Sequence, residues 1–164
     1  MIAAYIPGYS VTPQYLAANP HLRFGQGSRD TNVLLSWNTE APTIGAPNPV
    51  LLPGAMAINP ITWTRSGRVA SASSSRGSWL PDATGVFTRV RHYADARVAK
   101  KRGVVVASTP DVTEWAPGGP NQFPEGVYHS FDFPFYYFDV KHNAKVRVNA
   151  FLKRRANAQA TVAP

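Results

Sequence analysis

The chain contains no cysteine, which excludes disulfides, thiolate nucleophiles and thiolate metal sites, and removes the usual clue to redox compartment. Long hydrophobic runs are lacking too. The longest, such as Val104-Val105-Val106-Ala107 and Leu51-Leu52, fall far below the roughly 20 residues that a membrane-spanning helix needs. The stretch Met1 to Gly8 has neither a basic start nor a long apolar run after it, so it does not read as a secretory signal. No H-E-x-x-H spacing and no glycine-rich phosphate loop occur, and the four histidines are far apart, so neither a metal nor a cofactor is expected. Acidic residues are scarce, 9 against 17 lysines and arginines, for a net charge of +8. That balance favours anionic partners. The cations gather between Arg89 and Arg102 and between Lys141 and Arg155, on expected helices or their ends, where a solvated face explains them better than nucleic acid does.

What is present suffices for one globular core, with 44% of the 164 residues hydrophobic and 12% aromatic. Ile2 to Tyr9 reads as a short apolar strand ending at Pro7-Gly8. A strand apolar on both faces needs neighbours on both sides, which implies partners supplied from elsewhere. Pro13 to Ala18 suits a short helix and Val33 to Trp37 a second buried strand. The prolines and glycines of Ala41 to Gly54 make a surface connection, and Met56 to Trp63 reads as an extended piece. Arg65 to Trp79, rich in serine and arginine, reads as a mobile loop near a cleft, and Gly85 to Tyr93 as a half-exposed strand. Gly103 to Ser108 is the clearest buried strand. Tyr137, Val140, Ala144, Val148, Phe151 and Leu152 form one apolar stripe of a final helix, with Asp132 placed to cap it and Pro134 in its first turn. Ala156 to Pro164 reads as a frayed tail, leaving one domain over 1–155.

Four ordered segments carry a resemblance: Ile2-Ala3-Ala4-Tyr5-Ile6-Pro7-Gly8-Tyr9, Ser36-Trp37-Asn38-Thr39-Glu40-Ala41-Pro42, Ile58-Asn59-Pro60-Ile61-Thr62-Trp63 and Gly126-Val127-Tyr128-His129-Ser130-Phe131-Asp132. With Asn143, Arg147 and the final helix, they resemble the C-terminal half of a bacterial α/β-hydrolase family described as lysophospholipase-like and long classed as a domain of unknown function. The resemblance implies an α/β fold, part of a three-layer sandwich, and a serine esterase whose triad runs in the chain order serine, acid, histidine. It also implies that the G-x-S-x-G nucleophile lies upstream of the strand at Ile2 to Tyr9. No such motif is present, and Gly8-Tyr9-Ser10-Val11-Thr12 lacks the second glycine and follows the wrong strand.

A triad histidine must stand after the last strand and before the last helix, and His129 meets that requirement. Its carboxylate partner should close a neighbouring strand. Glu40 is the first choice and Asp111 the runner-up, with Asp132 accounted for by helix capping. Trp63 and Trp79, flanking the serine-rich loop, are the candidates for lining an acyl pocket. Two functions follow. In one, an N-terminal half or a second chain brings the nucleophile, and this chain brings His129 and Glu40 to ester hydrolysis. In the other, the chain is a non-catalytic binding or structural protein whose basic surface meets an anionic partner.

Overall fold

A computed structural model describes residues 1–162. Its framework is one extended segment, residues 33–41, that changes partners midway. The first half, β2 (Val33–Leu35), is buried throughout and pairs in parallel with β1 (Ala3–Tyr5), Ala4 lying opposite Leu34. Gly8 extends that pairing by donating to the Trp37 carbonyl. The second half, β3 (Thr39–Glu40), pairs in parallel with the opposite neighbour, β7 (Val104–Val106), and Val105 N–H reaches the Asn38 carbonyl. Both Val33-Leu34-Leu35 and Val104-Val105-Val106 are continuous apolar runs, the pattern of strands covered on both faces. β6 (Arg97–Ala99) closes the far side, antiparallel to β7. The expected mixture of helix and strand is therefore found, with three small sheets of two, three and two strands among the described residues.

Other expectations need correction. Met56 to Trp63 is not extended: Asn59 folds it into a turn, its side chain accepting from the amides of Ile61 and Thr62 and donating to the Ala96 carbonyl. Trp63 leaves that turn with a φ of 58°. Arg65 to Trp79 is tied down rather than loose, because Ser75 and the Arg76 amide bond to Asp139 and Ser78 donates to the Phe135 carbonyl. It ends in β4 (Ser78–Pro81), which makes an antiparallel hairpin with β5 (Phe87–Val90). The alternation read over Gly85 to Tyr93 hides neither face, since Phe87, Thr88 and Arg89 are all exposed. The short helices α1 (Pro13–Ala18) and α2 (Val112–Trp115) are capped by Thr12 and Asp111.

The final helix, α3 (Tyr137–Val162), continues through Ala156, where a frayed tail was expected; positions 163 and 164 lie outside the described residues. Asp132 does not cap it. Two 3-10 turns, His129–Phe131 and Pro134–Tyr136, come first. The buried stripe of the helix is also different from the apolar one. Asp139, Val140, Asn143 and Arg147 face inward, while Val148 and Leu152 are exposed. Arg147, grouped by sequence with the solvated cations, is fully buried. Its Nε donates to Asn143 Oδ1 at 2.6 Å, and its terminal nitrogens donate to the carbonyls of Asp30 at 2.5 Å and Gly27 at 2.8 Å. Tyr5 donates to the same Asn143 oxygen, and the guanidinium lies 5.7 Å from the Trp63 ring centre. One cation thus ties α3 to the 27–30 loop and, through Asn143, to β1.

Arg147→Met would strip two part-buried carbonyls and the Asn143 side chain of their charged donor, a loss of about 3 kcal/mol. Leu152→Ala, on the exposed side of the same helix, should change stability by less than about 0.5 kcal/mol. Urea denaturation of the two variants checks this, and the opposite ranking is what the apolar stripe would give.

Candidate active site

His129 is delivered to the sheet by the strip before it. The Gly126 carbonyl accepts from Ala41 N–H, Val127 bridges Glu40, and Tyr128 N–H donates to the Thr39 carbonyl. Gly126 has a φ of 77°, and a Cβ there would stand 2.5 Å from the Thr43 carbonyl oxygen, so only glycine lets the strip lie this close. The Tyr128 hydroxyl fixes the same strip from behind by donating to the Pro110 carbonyl. His129 then opens a 3-10 turn that brings Asp132 back beneath it.

The carboxylate on His129 is that of Asp132, with Nδ1 and Oδ2 3.1 Å apart. The other oxygen, Oδ1, accepts from the Thr39 amide at 2.5 Å, and the Asp132 backbone carbonyl accepts from the Trp37 indole at 2.8 Å. Asp132 is therefore clamped to the central segment on two atoms. Its side chain is 3% exposed against 29% for His129, so the carboxylate is sealed and the imidazole is open to solvent. Nε2 makes no hydrogen bond among the described residues and is the nitrogen left for proton transfer. Phe123 lies against the ring at 4.5 Å between centres. Gly8 covers another side: with a φ of 82°, it approaches so closely that a Cβ would stand 2.7 Å from His129 Cε1. Burial pushes the Asp132 carboxyl up to about 6, while the hydrogen bond that the ring makes to Asp132 raises the His129 imidazole above its ordinary value.

The dyad borders a cleft of about 490 Å³ between the turn after β1 and the Val50–Leu52 stretch, with Phe133 and Pro134 on its apolar side. Two serines line it. Ser10 is held in the loop, donating to the Val50 carbonyl and accepting from the Leu52 amide, whereas Ser130 is exposed beside His129.

Glu40, expected to orient the imidazole, is instead occupied elsewhere. It is fully buried and bonded to Arg102 and to Asn48. The Thr39 backbone amide serves Asp132, while the Glu40 side chain turns to an arginine 62 positions on. Asp111 caps α2 through Thr113. Neither tryptophan lines the cleft. Trp63 is core, edge-on to Tyr5 and Trp37, and Trp79 stacks on Tyr137 at the hairpin. The residue that sequence reasoning undervalued is Asp132, whose three-residue spacing from His129 was the available signal. Compared with protein-family models, curated proteins and solved structures, the chain matches none.

The pair makes stability depend on pH with a definite sign. Asp132 holds its proton up to about 6, above the roughly 3.9 of an unfolded aspartate, so its contribution falls as pH rises between those values. His129, raised above about 6.5, adds stability that is complete below that pH and is lost as pH climbs through its folded value. Both contributions decline with rising pH. Asp132→Asn, which keeps the Thr39 bond, should therefore gain in melting temperature relative to the parent as pH goes from about 4 to about 8. Parallel melting curves across that range would contradict the assignment.

Proposed function

We propose that this chain supplies the general base of an ester hydrolase, with His129 as the base and Asp132, in place of Glu40, as the carboxylate that orients it. The observation that carries the reading is the dyad itself: a sealed carboxylate on Nδ1 and a half-open imidazole at the border of a cleft. In acyl transfer such a pair lets Nε2 take the nucleophile's proton while the carboxylate holds the tautomer and stabilises the imidazolium.

The position in the sheet supports the same reading. β1, the 33–41 segment and β7 run in one direction, and His129 packs on Gly8, just past the carboxyl end of β1. In open α/β sheets, sites lie at that end of the strands. β2 is the only strand paired with β1 among the described residues, so one edge of β1 is open. A strand laid parallel on that edge would end beside the imidazole. We assign the nucleophile to such a strand, carried by an N-terminal half or a second chain, as in the α/β-hydrolase arrangement that the sequence resembles.

The test is to combine the chain with the polypeptide encoded immediately upstream, as first candidate for that strand, and to follow turnover of a p-nitrophenyl ester. The combination should turn over and react with a fluorophosphonate. His129→Ala and Asp132→Asn should each lower turnover by on the order of a thousandfold or more with the melting transition retained. Glu40→Gln should change it only through stability. A fully active His129→Ala combination would end the hydrolase reading, and an active Asp132→Asn beside an inactive, folded Glu40→Gln would return the acid to Glu40.

A further inference from the structure

The turn between β6 and β7, residues 100–103, packs against a second turn that ends at Ala55. Gly103, with a φ of 72°, lies so close that a Cβ there would stand 2.2 Å from the Ala55 carbonyl oxygen. Beside this contact is a cavity of about 280 Å³ whose charged lining is entirely cationic: Arg65, Lys100, Lys101 and Arg102. Of the four, only Arg102 is ion-paired among the described residues, to Glu40. Arg65 is the informative member. Its guanidinium lies 5.4 Å from the Phe24 ring centre, and its Nε is buried without a hydrogen-bond partner.

A buried donor left unbonded costs stability, and native structures rarely leave one so without a reason. Three unpaired cations around one half-open cavity repel one another, an arrangement that an anion relieves. An arginine offers several N–H groups in a fixed fork, and two lysines add movable point charges, a combination suited to an oxyanion with several acceptors. We propose that this cavity binds a phosphate group, with the Arg65 guanidinium donating to a phosphate oxygen and Lys100 and Lys101 closing over it. The volume admits a phosphate carrying a small organic substituent as well as inorganic phosphate. The site is independent of the His129 dyad and stands whether or not that dyad is catalytic.

The test is titration of the full chain with inorganic phosphate and, separately, with glycerol 3-phosphate, using glycerol as the uncharged control. Saturable binding that weakens as salt is raised is expected for at least one phosphate probe, and none for glycerol. Equal affinity for the two probes would assign the site to phosphate alone, and tighter binding of glycerol 3-phosphate to a phosphate ester. Arg65→Gln and the double variant Lys100→Gln, Lys101→Gln should each weaken binding by about tenfold or more. The lysines are exposed, so the double variant keeps its fold and decides the matter alone should Arg65→Gln not fold. No saturable binding of either probe, or unchanged affinity in the double variant, would overturn the proposal.

Discussion

The carboxylate of Asp132 is the constraint on which the arrangement of the site depends. It is nearly sealed from solvent, yet each of its oxygens has one polar partner, the Thr39 amide and the His129 ring. A buried carboxyl tolerates that environment only while its partners remain, and losing one costs roughly 1–3 kcal/mol. The clamp therefore works in both directions. The central segment fixes Asp132, Asp132 fixes His129, and the Trp37 indole holds the same backbone turn from the core side. The close approach of Gly8 then defines where the ring can stand.

The same economy of acids runs through the molecule. Asp30, Asp82, Asp95, Asp111 and Asp139 each accept from backbone N–H groups, and Glu40 takes Arg102. Most of the nine acidic residues thus serve loops and the interior, and the cations outside remain largely unbalanced. Loops built from Asx-type turns hold these carboxylates on backbone amides rather than on surface lysines and arginines. The cationic cavity at Arg65 is one local consequence.

The buried strands were legible because Val33-Leu34-Leu35 and Val104-Val105-Val106 are apolar without interruption, and so was the placement of His129 between the last strand and the final helix. The inward face of α3 was not. It is built from Asp139, Asn143 and Arg147, and hydropathy periodicity assigns those residue types to solvent, whereas here hydrogen bonds satisfy them in the interior. That Glu40 turns away from His129 was hidden for a related reason. Its position after a strand is right, but the arginine that claims it is distant in sequence, and no local rule finds such a partner. Asp132 showed the converse difficulty: helix capping was a sufficient local explanation, and the tertiary bond to Thr39 could not be read from neighbours.

The central claim is that Asp132 holds the His129 ring through Nδ1. Nitrogen-15 NMR of the imidazole, followed through a pH titration, measures this directly. The account predicts a neutral form protonated on Nδ1 and an ionisation above the ordinary histidine value, both lost in Asp132→Asn. A neutral form protonated on Nε2, or a titration at or below that ordinary value, would contradict it.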